Sequence, residues 1–187
     1  MEKSIGDYIL RDWQRDDATS IARYADNRKI WLNLRDGFPH PYNRQHAEEF
    51  IERARHSTPA TLFAIATHNE AIGSIGLTIG TDVHRFSAEL GYWLAEPFWG
   101  RGIMTRAVKY VTAYAIETLG LNRVYAEPYA CNVASAKVLE KAGFLREGIL
   151  RSSAFKDGTI CDQFIYSFIG RTSDRLGRPQ PIEYPVK

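Results

Sequence analysis

The spacing of apolar residues alternates along the chain between a period typical of strands and a period typical of helices. Short or alternating apolar runs predict strands at 8–11, 61–66, 71–79, 87–94, 121–129, 144–151 and 160–168. Apolar residues at helical spacing predict a helix that begins at Asp16 and further helices at 44–56, 102–119 and 132–142. Because only short turns join the strands at 61–66, 71–79 and 87–94, these three are expected to be antiparallel.

Composition and charge indicate an ordinary globular protein. Of the 187 residues, 44% are hydrophobic and 25% are charged, which argues against a disordered, collagen-like or coiled-coil chain. The net charge is only +2 and the basic residues are scattered, so no dedicated nucleic-acid-binding surface is predicted. We expect one domain over residues 1–170, followed by a C-terminal tail over 171–187.

Nothing in the sequence predicts export, membrane insertion or a metal site. The N-terminal residues carry charges and lack the apolar core of a secretory signal. No stretch reaches the roughly 18 apolar residues that a membrane span requires. The two cysteines, Cys131 and Cys161, show no metal-binding spacing, and Cys131 is expected to be a small buried residue. A reduced, cytoplasmic protein without a metal is the simplest interpretation.

The segment 89–105 carries the strongest chemical signal. A strand leads through a Pro-containing turn into Gly100-Arg101-Gly102, where the long helix begins. The free N–H groups and the dipole of a helix N-terminus favour phosphate. Gly100 and Gly102 let the backbone approach an anion closely, and Thr105 adds a hydroxyl donor. The spacing fits neither a dinucleotide fingerprint nor the phosphate loop of nucleotide hydrolases. Taken alone, a Gly-x-Gly turn more often shapes a tight bend than binds phosphate.

Four segments together resemble the GCN5-related N-acetyltransferases (GNAT), and most closely the RimJ/RimL-like branch that acetylates the N-termini of ribosomal proteins. These segments follow the family's order and are 88–94, 99–105, 132–135 and 139–144. The resemblance covers residue 8 to about residue 170. Trp99 and Met104 depart from the outer positions of the family's Gln/Arg-x-x-Gly-x-Gly/Ala pattern. Ser152 and Ser153 stand where members of the branch often carry a glutamate.

The resemblance implies an α+β fold in which helices flank both faces of a mixed, mainly antiparallel sheet of about seven strands. It also implies direct transfer of an acetyl group from acetyl-CoA to an amine, without an acyl-enzyme. The pantetheine arm would enter where the strands at 87–94 and 121–129 splay apart. The residues expected to bind this co-substrate are Trp93, Leu94, Trp99, Gly100, Arg101, Gly102, Ile103, Met104, Thr105, Asn132 and Lys141.

Two residues are candidates for catalysis. Glu89 could be the general base, because an ammonium acceptor must lose a proton before it attacks a thioester. Period two places Glu89 on one strand face with Gly91 and Trp93, and a solvent-facing carboxylate is the alternative. For Ser135, in the first turn of a helix, the resemblance implies that it protonates the departing thiolate. Asn132 is expected to cap the same helix as well as contact the co-substrate.

Several other residues have two possible explanations, one functional and one structural. Arg101, Arg106 and Lys141 suit the 3′-phosphate of CoA, and each is equally explained as a surface charge. Asp162 matches an acidic position frequent in the branch, and no role is assigned to His84. Aromatic residues that would either wall an acceptor pocket or belong to the core are Trp31, Phe38, Tyr42 and Phe155.

The predicted function is a single-domain N-acetyltransferase. Its partners are acetyl-CoA and a primary amine, either a protein N-terminus or a small molecule, with no DNA and no membrane. The oligomeric state is open, and a homodimer is one candidate. A non-catalytic acetyl-CoA sensing module and a nucleotide-binding protein are the alternatives, and the presence of Glu89 and Ser135 favours the enzyme.

Overall fold

One sheet of eight strands organises residues 2–170, the part of the chain that the computed structural model describes. The strands are β1 (Glu2–Ser4), β2 (Ile9–Arg11), β3 (Leu62–Ala66), β4 (Ala71–Ile79), β5 (Ser87–Leu94), β6 (Arg123–Ala126), β7 (Leu145–Lys156) and β8 (Thr159–Ile169). The helices are α1 (Asp17–Ala25), α2 (Arg28–Trp31), α3 (Arg44–Arg55), α4 (Ile103–Glu117) and α5 (Val133–Ala142), with 3₁₀ turns at Asp82–His84 and Glu96–Phe98.

The sheet is divided at its centre by the one parallel pairing among the described strands. The strand order is β1-β2-β3-β4-β5-β6-β8-β7, and only β5 and β6 run parallel. β5 pairs with β4 from Ala88 to Leu94, whereas its pairing with β6 joins only Ser87–Glu89 to residues 123–125. Beyond Glu89 the two strands separate, which leaves one edge of the second half of β5 without a strand beside it.

The two faces of the sheet are covered by different helices. α1 and α3 pack on one face in a core cluster that includes Ile21 and Ile51, and Trp93 packs against this cluster. α4 and α5 cover the other face, where Leu90 and Leu94 join the larger cluster. The alternation along β5 follows from the pleat of a strand, because successive side chains point to opposite faces. It confirms the predicted separation of Trp93 from Leu90 and Leu94.

The structure confirms the predicted α+β order and corrects its details. β1 was not predicted, because its three exposed residues show no apolar pattern. It gives eight strands in residues 2–170 instead of about seven. β6 is shorter than predicted, since its pairing with β5 ends at Tyr125 and its pairing with β8 ends at Ala126, although Tyr129 keeps an isolated bridge with Gln163. Cys131 is exposed, not buried, because it lies in the turn before α5. The expected tail lies outside the described residues.

The β7–β8 hairpin extends beyond the predicted strands and reaches the loop that follows α2. Near its tip, Lys156 is only 5% exposed and places Nζ 2.7 Å from Asp36 Oδ1 and 3.7 Å from the ring centre of Trp31. Asp157 pairs with Arg28 at 2.5 Å. A buried ammonium needs such partners, so the hairpin tip and the loop hold each other in place.

Asp162 has a structural contact in this hairpin. Its Oδ1 accepts the backbone N–H of Ser152 at 2.8 Å, and Ser152 has a positive φ of 50° at a bulge in β7. Within residues 2–170, no helix is long and apolar enough to cross a membrane. The same residues contain no group of three or more His, Cys, Asp or Glu side chains arranged to hold a metal.

Candidate active site

A cleft of about 1010 Å³ opens where β5 and β6 separate. It extends from the loop between α2 and α3, on one face of the sheet, to the N-terminal ends of α4 and α5. Glu89, Ser135 and all eleven residues expected to bind the co-substrate line this cleft, whereas Arg106, one of the three candidates for the 3′-phosphate, does not. The structure therefore brings together segments that lie far apart in the sequence.

The loop before α4 forms a backbone cradle. Gly100 and Gly102 have φ values of +75° and +69°, in the left-handed region that favours glycine, and Gly102 is the N-cap of α4. A Cβ at Gly100 would contact nothing within 4 Å, so the backbone is open on that side. The indole N–H of Trp99 donates to the Leu94 carbonyl oxygen at 2.7 Å and fixes the loop to the end of β5. The helix N-terminus and the open backbone fit an anionic group.

Basic side chains near the cradle serve two different purposes. Arg101 lines the cleft, and its guanidinium donates to the Pro97 carbonyl oxygen at 2.9 Å. Arg106 instead donates from Nε to the Ile5 carbonyl oxygen at 2.8 Å, which ties the N-terminal turn to the loop. Lys137 and Lys141, one turn apart on α5, both line the cleft. Lys137 was not predicted, although its i,i+4 spacing from Lys141 was visible in the sequence.

A group of two carboxylates and one guanidinium lies on the opposite side of the sheet. Glu89 accepts a hydrogen bond from Arg35 at 2.5 Å, and the same guanidinium lies 3.4 Å from Glu127 Oε2. The carboxylate side chains are each 23% exposed, whereas Arg35 is 64% exposed. Burial raises the pKa of Glu89 above its ordinary value, Arg35 opposes this shift, and the charge of Glu127 adds to it.

Arg35 and Glu127 were missed by the sequence analysis. Glu127 follows β6 and stands two residues after Tyr125, which pairs with Glu89 across the strands. Period two therefore places Glu127 on the face of Glu89. Arg35 comes from an irregular loop and carried no periodic signal.

The first turn of α5 is held at two points. Asn132 Oδ1 accepts the Ser135 backbone N–H at 3.0 Å, which confirms the predicted N-cap. The hydroxyl oxygen of Tyr92, which reaches α5 from β5, lies 2.7 Å from Ser135 Oγ. Burial raises the pKa of Tyr92 far above its ordinary value, so its hydroxyl stays protonated at neutral pH. No sequence pattern connects Tyr92 to Ser135, because a strand and a distant helix meet only in the folded chain.

Two of the four aromatic candidates lie at the cleft. Phe38 and Tyr42 line it, and their rings stack at 4.9 Å, with Trp93 6.0 Å from Phe38. Trp31 stacks on His40 beneath Lys156, and Phe155 is 66% exposed on the hairpin. The side of the cleft that holds Glu89 therefore has an aromatic wall as well as an acidic pair.

The model of the acetyltransferase (GNAT) domain family matches residues 7–145. The chain belongs to this family. The match spans both the cradle before α4 and Glu89, and it ends near the start of β7. The sheet that splays open beside this GNAT cradle is the fold that the resemblance implied.

Individual relatives support the assignment. The GNAT chain is 36% identical over 100 residues to an uncharacterized N-acetyltransferase, YoaA of Bacillus subtilis, covering 54% of this chain and 56% of YoaA. It is 33% identical over 166 residues to an uncharacterized N-acetyltransferase, p20 of Bacillus licheniformis, covering 87% of this chain and 92% of that protein. The first alignment thus spans only about half of the relative's length.

A solved structure shows the same fold. It is RimL, a ribosomal L7/L12 α-N-protein acetyltransferase in complex with coenzyme A. It superposes on 91% of this GNAT chain and 98% of its own with a TM-score of 0.80 and 19% identity. At this identity the likeness shows the fold, and the roles of the cleft residues rest on the geometry above.

Proposed function

We propose that this protein is an N-acetyltransferase that moves an acetyl group from acetyl-CoA to a primary amine in a ternary complex. The single observation that carries the proposal is the composition of the cleft. One continuous space joins an anion-accepting helix N-terminus to a partly buried carboxylate on the other side of the sheet. A transferase that brings a phosphorylated acyl donor to an amine needs these two features together.

In this proposal the cradle and the free edge of β5 hold the acyl donor. Backbone N–H groups at the start of α4 donate hydrogen bonds to the pyrophosphate oxygens, and Gly100 and Gly102 allow close approach. The backbone of Leu94 faces the gap between β5 and β6, and its N–H is proposed to pair with a pantetheine amide, whereas the backbone of Trp93 faces β4, contrary to the expectation from the resemblance. Residues 137 and 141 supply ammonium groups at the α5 side of the cleft, where phosphate oxygens would be attracted.

Glu89 acts as the base for the amine. An α-amine has an ordinary pKa of about 8 and is mostly protonated at neutral pH. A carboxylate whose pKa is raised by burial is a stronger base than an exposed one, which suits it to accept that proton. The nitrogen then forms the C–N bond as the C–S bond breaks. The sulfur leaves with the bonding pair, and the Ser135 hydroxyl supplies its hydrogen bond and its proton. An ammonium acceptor loses two protons: Glu89 takes the first and passes it to solvent, and the second, lost as the amide forms, is returned through solvent to the Ser135 oxygen, so the products are the amide, the CoA thiol and one H⁺.

The acceptor is proposed to be a peptide N-terminus or a small molecule with a primary amine. RimL, which shares this fold, is named for an α-N-protein acetyltransferase, and a peptide N-terminus is one of the acceptors proposed here. The aromatic wall of Phe38, Tyr42 and Trp93 beside Glu89 offers an apolar surface for the group attached to the amine. The exposed loop that carries Arg35 borders this side, so an extended chain has access to it.

A thiol-release assay with acetyl-CoA and a panel of amines tests the proposal. We expect release of CoA that depends on the acceptor in the wild type. In Glu89→Gln the dissociation constant for acetyl-CoA should stay nearly unchanged, while the rate at neutral pH falls by about 10² to 10⁴. The deficit should shrink as pH approaches the pKa of the amine, because more acceptor is already neutral.

Three outcomes would contradict parts of this proposal. Tight acetyl-CoA binding without transfer to any amine would favour the sensing module. Competition of ATP or NAD with CoA in titration calorimetry would favour a nucleotide-binding protein. Wild-type turnover in Glu89→Gln, under conditions where chemistry limits the rate, would show that Glu89 is not the base.

A further inference from the structure

Tyr92 and Ser135 form a hydroxyl pair between the sheet and α5, on the face opposite Glu89. The Tyr92 oxygen lies 2.7 Å from Ser135 Oγ and 3.4 Å from the Ser135 carbonyl oxygen, so the side-chain oxygen is the closer acceptor. The ring packs against the larger core cluster, and both residues line the cleft. The core thus fixes the phenol, and the phenol reaches the one serine that the cleft presents at the start of α5.

The 2.7 Å distance between the two hydroxyl oxygens is compatible with either group as the donor. A phenol and a serine hydroxyl can each donate one hydrogen and accept others. Burial keeps the Tyr92 hydroxyl protonated, so a proton is always available on the tyrosine side. When Tyr92 donates to Ser135 Oγ, the serine keeps its hydroxyl hydrogen, which can then form a hydrogen bond to another acceptor. The cap from Asn132 to the Ser135 N–H at 3.0 Å holds the backbone at the same time.

We propose that Tyr92 is a positioning residue, which donates its hydroxyl to Ser135 Oγ and leaves the serine hydrogen free to point into the cleft at the sulfur of the acyl donor. This inference rests on the proposed function. It assigns Tyr92 no proton transfer of its own, because the tyrosine keeps its proton throughout. Without this hydrogen bond the serine hydroxyl can rotate to donate to the tyrosine or to a backbone carbonyl of the helix.

The kinetic test uses Tyr92→Phe, which retains the ring and loses only the hydroxyl. We expect kcat to fall about 3- to 10-fold, the effect of one hydrogen bond, with the amine KM and the acetyl-CoA dissociation constant within about twofold of wild type. The double variant Tyr92→Phe/Ser135→Ala should be no slower than Ser135→Ala alone, because Tyr92 acts only through the serine. Tyr114→Phe is the matched control. The Tyr114 hydroxyl donates to the Ala60 carbonyl oxygen at 3.1 Å, and this hydrogen bond lies outside the cleft.

A second readout does not need turnover. A hydroxyl that donates to sulfur stabilises the thiolate, so the thiol of bound CoA should have a lower pKa in the wild type than in Tyr92→Phe or Ser135→Ala. The ultraviolet absorbance of the thiolate, titrated in the binary complex with CoA, measures this difference. The Tyr114→Phe control should titrate like the wild type.

Several results would overturn the inference. They are wild-type kcat in Tyr92→Phe, a double variant in which the two losses multiply, or a bound thiol whose pKa does not respond to Tyr92. Should Tyr92→Phe fail to fold, 3-fluorotyrosine at position 92 keeps the hydroxyl and must retain activity within about twofold. An unaltered thiol pKa contradicts the role of Tyr92, whereas absence of acetyl transfer in the wild type contradicts the proposed function, so the two failures are distinguishable.

Discussion

At the scale of single residues, the environment of Glu89 matters more than its identity. A glutamate on the exposed face of a strand has an ordinary pKa, but Glu89 lies beside a second carboxylate and is partly buried. Arg35 bridges Glu89 and Glu127 from the loop after α2, so the charge of the base is balanced by a side chain remote in sequence. The basicity of Glu89 is therefore set by what the fold assembles around it.

Replacing Arg35 by methionine should shift the pH dependence of the reaction. Arg35 lowers the pKa of Glu89, so its removal leaves burial and the charge of Glu127 unopposed, and that pKa rises further. The base form is then lost at a higher pH, and we expect the acidic limb of the kcat/KM profile to move upward in pH. The matched control is Arg15→Met, which removes an exposed pair with Glu52. An acidic limb that stays in place in Arg35→Met would show that Glu89 does not control it.

At the scale of elements, the start of α4 is the most specific part of the site. Gly102 combines a positive φ with the N-cap position, so a side chain there strains the backbone and approaches the place of the anion. An added Cβ would meet only the end of the flexible Arg106 side chain, with Nη1 at 3.4 Å, so the cost of a side chain at Gly102 comes from the backbone conformation and not from a clash.

Gly102→Val should raise the dissociation constant for acetyl-CoA at least about tenfold, which corresponds to about 1.4 kcal/mol. Gly120→Val is the matched control, because Gly120 has the same φ of +69° and follows the other end of α4. Both variants are expected to lose similar stability in thermal unfolding, and only Gly102→Val should lose affinity in titration calorimetry. Unchanged affinity in a folded Gly102→Val protein would remove the cradle from the binding site.

The elements show what sequence can predict. The long helix α4 and the strand β5 were predicted nearly to the residue, because each has a strong period and a clear stop signal. β1 and α2 were missed, since three or four residues are too few to show a period. The residues nominated from the motifs for catalysis or co-substrate binding line the cleft, whereas the contacts of Arg35, Tyr92 and Glu127 join segments that are distant in the sequence and were not predicted. Local pattern predicts elements, and only packing reveals which side chains meet.

At the scale of the whole molecule, the two core clusters lie on opposite faces of the sheet and the cleft crosses between them. The larger cluster joins β5 to α4 and α5, and the smaller one joins β3 and β4 to α1 and α3. Core positions in such clusters can change while the layer arrangement is kept. This agrees with a TM-score of 0.80 to RimL at 19% identity.

The short ladder between β5 and β6 makes the centre of the sheet a seam. Among the described strands, the pairing of Ser87–Glu89 with β6 is the only strand pairing between the half formed by β1 to β5 and the half formed by β6, β7 and β8. A co-substrate bound in the gap would contact both halves and act as a strut between them. A ligand that binds only the folded state adds about 2.7 kcal/mol to the free energy of unfolding when its concentration is 100 times the dissociation constant.

Hydrogen exchange should detect this strut. We expect CoA to slow amide exchange on both sides of the seam, including β8, which lies beyond the gap, with no such effect in Gly102→Val at the same CoA concentration. Slowing confined to the cradle would argue against a strut. If the seam behaves in this way, variants that loosen the sheet at Ser87–Glu89 will bind acetyl-CoA more weakly without touching any atom of it. The affinity for acetyl-CoA and the strength with which the two halves of the sheet hold together would then rise and fall together.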